Sequence, residues 1–324
     1  MSRPKLSIGI VSYNSGYRLQ QCLDAIEKHA PSCAYEVVVV DNASHDGSVD
    51  ALRAAPRPHV RLVEAGANLL FTGALNRAFA ETTGEHFLML NADLVALDGA
   101  LDAMVRHLDE DASIGAVSAY TLDVHGAFER YVRRAPTPFE VFFASYAPAR
   151  AKRWRLLRRF DHGLWDADFS KPVDIEDTLG GCTIVRRDLF DGPLMPREFG
   201  IFWSDAELAR RILRKGRRIV VFPDARFTHD HEHKPRGTTS ERGLLLVLDY
   251  LVGCVRYFRL SEGRGAAWRA KALLAAGASA SLVAKHLPLA LVGREPWGVW
   301  RARARVLRDL VRERNTLLEE AQRS

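Results

Sequence analysis

"HFLMLNADL", residues 86–94, sets the apolar run Phe87–Leu90 directly ahead of Asn91-Ala92-Asp93. A short apolar run with polar punctuation reads as a buried strand, and a carboxylate at its end must face something polar. Similar runs recur on the N-terminal side. "KLSIGIVSY" (5–13), "YEVVVVDNAS" (35–44) and "HVRLVEA" (59–65) read as strands. Between them "SGYRLQQCLDAIEKHA" (15–30), "GSVDALRAA" (47–55) and "TGALNRAFAETT" (72–83) have helical spacing, as does "LDGALDAMVRHLDED" (97–111) ahead of the strand "IGAVSAY" (114–120). Strands alternating with helices predict parallel βαβ units in a doubly wound sheet. Such sheets bind ligands outside the carboxyl ends of their strands. The polar residues Ser12-Tyr13-Asn14, Asp41-Asn42 and Asn91-Ala92-Asp93 stand at those ends.

Composition bounds the rest. The chain has 324 residues, 47% of them hydrophobic, which is enough for a substantial core and excludes global disorder. Its formal charge of +6, from 46 basic and 40 acidic residues, favours anionic partners without choosing among nucleotides, phospholipid and nucleic acid. Cys22, Cys33, Cys182 and Cys254 form no CxxC pair, so a disulfide framework or zinc ribbon is not expected and a reducing compartment fits. The N-terminal residues enter a strand pattern without a signal-peptide apolar region. "GLLLVLDYLVGCV" (243–255), with Asp249, and "LVAKHLPLALVG" (282–293), with Lys285 and His286, are too short to span a bilayer. A cytoplasmic protein, soluble or peripheral to the inner membrane face, is expected.

Beyond residue 120 the pattern is less regular. "RRAPTPFEVFFASYAPARAKRWRLLRRF" (133–160) carries prolines, then a basic and aromatic stretch, and reads as a mobile or partner-facing insertion. "DTLGGCTIVRRDLF" (177–190) returns to a glycine-marked strand, "WSDAELARRILRKG" (203–216) is a helix ended by Gly216, and "RRIVVFPDARFTHDHEH" (217–233) reads as a short strand, a turn and a histidine-rich loop. From about 241 the chain is helical. No internal repeat is evident.

Each candidate residue has a plain structural alternative. Asp93 is either a turn or helix-capping residue or a ligand to a hard divalent cation whose other oxygens come from a diphosphate. Asp41 either caps the following helix or accepts hydrogen bonds from a base or ribose. Asp205 either offsets a helix dipole or serves as a general base for a hydroxyl. Glu207, about 200° around the helix from it, should not share its face. His229, His231 and His233 lie on one side if extended, but a solvated loop describes the last two better than zinc does. No GxGxxG follows the first strand ("SYNSGYR") and no P-loop occurs, which removes the usual support for dinucleotide binding.

In this order the residues resemble an inverting family 2 glycosyltransferase of the GT-A fold, of the rhamnosyltransferase-like kind, over roughly residues 5–235. The matching segments are "IVSYN", "VVVVDNASHDGS", "NLLFTGALN" with Asn68, Phe71 and Asn76, "LMLNADL", "GGCTIVRRDLF" and "FWSDAELARR". The resemblance implies a Rossmann-like mixed, mainly parallel sheet flanked by helices. It divides the chain into a GT-A domain over 1–240, with a nucleotide-binding half to about 120 and an acceptor half beyond, and a helical C-terminal region over 241–324. Asp93 becomes the ligand to Mg²⁺ or Mn²⁺, His229 a further metal or diphosphate contact, and Asp205 the base. Ser12, Tyr13, Asn14, Asp41, Asn42, Asn68, Asn76 and Asn91 become the nucleotide-sugar contacts. Three positions depart from the pattern. Ser204 replaces the first acid of the Glu-Asp pair, Ala92 replaces a proline, and Leu70 replaces a glycine, so a glycine-only conformation is not expected at residue 70.

The activity implied is transfer of a sugar, rhamnose foremost, from a dTDP- or UDP-sugar to a hydroxyl of a glycan or lipid-linked saccharide in cell-surface polysaccharide synthesis. Ser204 keeps open a non-catalytic homologue that binds nucleotide or a partner. Nucleic acid has only the charge in its favour. "AKRWRLLRRF" (151–160), with five basic residues in ten, and the basic C-terminal helices leave open a peripheral membrane contact or a homo-oligomer.

Overall fold

The computed structural model describes residues 3–129, 133–148, 163–164, 166–178, 180–230, 240–293 and 296–322. The stretch 151–160, His231 and His233 lie outside them. In chain order come β1 (Leu6–Ser12), α1 (Arg18–Lys28), β2 (Tyr35–Asp41), α2 (Asp50–Ala54), β3 (Val60–Glu64), α3 (Leu70–Ala80), β4 (His86–Asn91), β5 (Leu94–Ala96), α4 (Ala100–Glu110) and β6 (Ile114–Leu122). Then follow α5 (Pro138–Tyr146), β7 (Val173–Ile175), β8 (Cys182–Arg186), α6 (Ser204–Arg214), β9 (Arg218–His229) and the C-terminal helices α7 (Glu241–Glu262), α8 (Arg264–Ser281), α9 (Leu287–Leu291), α10 (Trp297–Arg312) and α11 (Thr316–Ala321).

The strands form one sheet in the order β3-β2-β1-β4-β8-β6-β9-β5, with β7 beside β9. The first four pair in parallel, β8 runs antiparallel between β4 and β6, and β5 and β7 are antiparallel to β9. Alternation explains why the strands read as continuous apolar runs. Val37, Val39, Leu88 and Leu90 enter the core beneath α1 and α4, while Val38, Val40, Phe87 and Met89 enter the opposite core beneath α3 and α6. Each such fully buried valine contributes about 1.5–3 kcal/mol relative to exposure. All four cysteines are free thiols.

Three features differ from the sequence expectation. The stretch 217–233 does not break into a short strand and turn, for β9 continues to His229. Its register against β6 shifts between Ser118 and Tyr120, opposite Val221 and Arg226, and this irregularity accommodates Pro223. Within the expected insertion, α5 is an ordered helix with a Thr137/Glu140 capping box. The apolar stretch beginning at Leu282 extends upstream, and Arg264–Leu291 is long and apolar enough to cross a membrane.

A third core joins α7, α8 and α10 to Phe199, Trp203 and Val141. Its polar fastener is Asp249, 1% exposed. That carboxylate accepts from the Ile201 and Phe202 amides at 3.0 and 3.1 Å and from Asn315 Nδ2 at 2.7 Å. It ties α7 and the start of α11 to the loop that leads into α6. Asp249→Ala leaves three donors without their acceptor and is expected to cost about 3 kcal/mol or more, read as a lowered urea midpoint.

Candidate functional site

A cavity of about 980 Å³ opens at the carboxyl ends of β1, β2 and β4. Tyr13, Asn14, Ser15 and Arg18 line one side, Asn42, Asn68, Leu70 and Phe71 another, and Asn91, Ala92 and Asp93 the floor. Ile201, Asp230, Arg242 and Leu246, with Leu317, Glu320 and Ala321 of α11, complete it. Of the residues singled out in the sequence, Tyr13, Asn14, Asn42, Asn68, Asn91 and Asp93 line this space. Ser12, Asp41, Asn76, His229 and Asp205 do not.

The residues behind the wall shape it. Ser12 Oγ is buried 3.0 Å from Ser15 Oγ. The buried Asp41 carboxylate accepts from the Ser44 amide at 3.2 Å. Asn14, at φ +50°, receives the His45 amide on Oδ1 and donates its own amide to Ser44 Oγ. Asn76 clasps the Met195 backbone through both ends of its amide, each at 2.9 Å.

Leu70 corrects an expectation. It adopts φ +58° despite its side chain, a left-handed conformation that is costly for a branched residue. The surroundings hold it there. Its amide donates to Asn68 Oδ1 at 2.9 Å, its carbonyl accepts from Asn42 Nδ2 at 3.2 Å, and Asn42 Oδ1 takes the Leu69 amide at 2.7 Å. Asn42 and Asn68, joined to each other at 2.9 Å, thus build the loop as well as lining the cavity.

Asp93 and His229 meet because β5 and β9 pair with Leu94 opposite His229. Asp93 Oδ2 lies 3.5 Å from His229 Nε2, and its side chain is 34% exposed. Asp93 Oδ1 is buried and has no hydrogen-bond partner among the described residues. On the far side of the imidazole, Nδ1 lies 3.1 Å from Glu129 Oε2. A proton on Nδ1 directed at this carboxylate leaves the Nε2 lone pair facing Asp93, the outer-carboxylate arrangement typical of metal-binding histidines. One unpartnered carboxylate oxygen and one oriented imidazole suit a divalent cation that takes its remaining ligands from a diphosphate. The group Glu85, His86 and Asp109 is also compact. It sits at the opposite end of β4, however, and the Lys5 ammonium already lies 3.0 and 2.7 Å from its two carboxylates.

Two cations stand by the cavity. Arg18 is buried, pairs with Asp230 at 2.9 Å and keeps Nη2 without a hydrogen-bond partner among the described residues. Arg242 lies over the Tyr13 ring, 5.2 Å from its centroid. Sequence reading missed both, and Glu129 as well. Arg18 looked like part of an ordinary amphipathic helix, and Glu129 reaches His229 across 100 residues of chain.

Asp205, the second residue of α6, stands behind Gly180-Gly181, the pair that leads into β8. A Cβ on Gly180 would fall 2.8 Å from the Asp205 Cβ, and one on Gly181 would fall 2.6 Å from Asn91 Nδ2. Bare backbone therefore lets Asp205 and the cavity floor approach the same two residues. Trp203, at φ +72°, and Ser204, buried with its hydroxyl unpartnered among the described residues, precede it. Burial raises the Asp205 carboxyl above the ordinary range. Asp177, another residue missed in the sequence, is raised by burial and then by Asp205 itself, with Arg133 opposing. Glu207 turns instead towards Arg214, 3.4 Å away, as the helical spacing requires.

A model of "Glycosyl transferase family 2" matches residues 7–191, more than half of the chain. The chain belongs to this family. A curated family relative, N-acetylglucosaminyl-diphospho-decaprenol L-rhamnosyltransferase of Mycobacterium tuberculosis, is 26% identical over 246 residues, covering 70% of this chain and 76% of its own. The mannosyltransferase PcManGT from Pyrobaculum calidifontis, solved with GDP-Man and Mn²⁺, matches with TM-score 0.51 at 23% identity, over 97% of this chain and 88% of its own. GalNAc-T7 with UDP, GalNAc and Mn²⁺ matches with TM-score 0.56 at 15% identity over 80% of this chain, which spans only 48% of that protein. These two likenesses identify the fold as that of GT-A glycosyltransferases.

Proposed function

We propose that the protein is an inverting glycosyltransferase that moves a sugar from a nucleoside diphosphate to a hydroxyl of a glycan or lipid-linked saccharide. The observation that carries this reading is the Asp93–His229–Glu129 arrangement at the mouth of β4, beside a buried arginine. Tyr13, Asn14, Asn42 and Asn68 hold the nucleoside, with Ser12 and Asp41 bracing their turns. Arg18 and Arg242 face the diphosphate, and Asp93 and His229 hold Mg²⁺ or Mn²⁺. When bound, the cation supplies Lewis-acid stabilisation of charge on the departing diphosphate. Asp205 takes the proton of the acceptor hydroxyl as the oxygen attacks the anomeric carbon from the face opposite the leaving group.

The name of the rhamnosyltransferase relative supports a deoxyhexose donor and a polyprenyl-diphosphate-linked acceptor. The experiment measures nucleoside diphosphate release from dTDP-rhamnose, UDP-sugars and GDP-mannose with Mn²⁺, with and without an N-acetylglucosaminyl-diphospho-polyprenol. One donor is expected to be cleaved slowly alone and much faster with acceptor. Ser204, which stands where the family has an acid and is buried without a hydrogen-bond partner among the described residues, favours a second reading, a homologue that binds nucleotide without transfer. Protection against thermal unfolding by a nucleotide sugar, with no cleavage in either arm, establishes that reading instead.

A further inference from the structure

The helix running from α8 into α9 has an uncovered apolar face. Trp268, Ala272, Ala276, Ala280, Ala284 and Pro288 are all exposed and recur every four residues, so they form a stripe about 30 Å long that winds slowly round the helix, a winding that the π-helical turn Leu282–His286 checks. Trp268 is 68% exposed, and the stripe ends in Leu291 and Val292, each 67% exposed, with Trp297 beyond them. An apolar strip of this length rarely faces water in a soluble protein. The opposite face is occupied: Ala266, Ala267, Ala270 and Leu274 are buried in the third core. Gly277 lies so close to Tyr146 of α5 that a Cβ there would fall 2.4 Å from its ring.

Charge identifies what covers the stripe. No Asp or Glu occurs between Arg264 and Gly293, while Arg269 and Lys285 are exposed beside the stripe. The next helix, α10, adds the exposed Arg301, Arg305 and Arg312, with Arg308 held by Asp309 at 2.9 Å. In a two-fold contact between copies of this chain, these cations would face their own kind. Against anionic headgroups they are complementary.

We propose that the exposed face of Arg264–Leu291, with its tip at Trp297, docks on an anionic phospholipid bilayer and lies in the interface rather than crossing it. Length and apolar character alone would allow a span. Crossing would require stripping the inner face of α8 from α5 and α7, whereas docking uses only the side already bare. Interfacial helices have this composition, with tryptophan and small apolar residues on one side and basic residues flanking. Leu246, Leu317 and Ala321 of the same helical bundle line the cavity, so the docking helix and the cavity belong to one packed unit.

The test is vesicle flotation of the full chain with phosphatidylcholine vesicles, with and without phosphatidylglycerol, alongside sedimentation velocity without lipid. The wild type is expected to float with the anionic vesicles and much less with the neutral ones. Ala276→Glu/Ala280→Glu, at exposed positions, is expected to weaken binding by about tenfold or more while leaving thermal unfolding unchanged. Arg301→Glu/Arg305→Glu is expected to remove the preference for anionic lipid. Failure to float, or flotation that the Glu variants do not alter, overturns the proposal. A lipid-independent dimer dispersed by those variants, without vesicle binding, assigns the stripe to a second copy. The assay contains neither donor nor acceptor, so its result is separate from that of the glycosyl-transfer reading.

Discussion

Asp205→Asn is expected to lower kcat by about 10²–10⁴-fold while donor affinity, measured by calorimetry with Mn²⁺, stays unchanged. The substitution keeps the shape of the side chain and removes its capacity to accept a proton. The rival role is offsetting the dipole of α6, which places Asp205 and Glu207 in its first turn. On that account Asn costs about 0.3–1 kcal/mol of stability and leaves turnover nearly intact. Geometry favours the catalytic role. Gly180 and Gly181, just before β8, make room for Asp205 next to the cavity floor, and the strained Trp203 backbone sets its position. Strain of this kind persists where the surrounding structure fixes it and concentrates at functional sites. A fully active Asp205→Asn enzyme removes Asp205 from its role.

The pH dependence follows from the same neighbourhood. A base works ionised, and burial raises the Asp205 carboxyl, so the rise of kcat with pH should lie above the ordinary carboxylate range. Asp177 faces it under the same burial, with Arg133, Tyr250 and Tyr257 as the other charged or titratable groups around the pair. Two interacting carboxyls lose their protons in separate steps. Asp177→Asn should therefore reduce the profile to a single ionisation, whereas an unchanged two-step profile would separate Asp177 from the base.

Much of this was legible because the decisive strands are buried on both faces. Four consecutive valines in β2, or Phe87 to Leu90 in β4, admit little but a strand between two helical layers, and in such sheets ligands bind beyond the carboxyl ends of the strands. The acids at those ends were visible for that reason. Residues that act across the fold were not. Glu129 orients His229 from a loop after β6, Arg18 is the first residue of an amphipathic helix, and Asp177 matters only because Asp205 lies beside it. The glycine departure at Leu70 misled for a related reason. Local propensity forbids the conformation, but Asn42 and Asn68, remote or polar and thus ambiguous in sequence, impose it. The expected boundary near residue 240 likewise gave no sign that α7 and α11 would line the cavity or that Asp249 would fasten the loop before α6.

Asp93→Ala is expected to remove the Mn²⁺-dependent part of donor binding, a loss of about 10²-fold or more in affinity, and to reduce turnover with it. The competing view makes Asp93 a turn or capping residue. A capping carboxylate accepts from backbone amides one to three residues on, and no such bond to Asp93 occurs among the described residues, where Oδ1 is buried without a partner. An unpartnered buried carboxylate oxygen costs about 1–3 kcal/mol or more, a cost that a cation would offset. Removing a capping residue would destabilise the protein with or without Mn²⁺. Removing a metal ligand should relieve that burial and stabilise the metal-free protein slightly, while abolishing the Mn²⁺-induced rise in Tm expected with nucleoside diphosphate. Glu129→Gln makes a graded control, because it leaves both ligands in place but loosens the His229 tautomer. It should weaken Mn²⁺ binding by about 10–100-fold. Calorimetry with and without Mn²⁺ on the two variants separates the accounts: equal donor affinity in both conditions for Asp93→Ala supports the ligand role, and an intact Mn²⁺ increment assigns the cation to other residues.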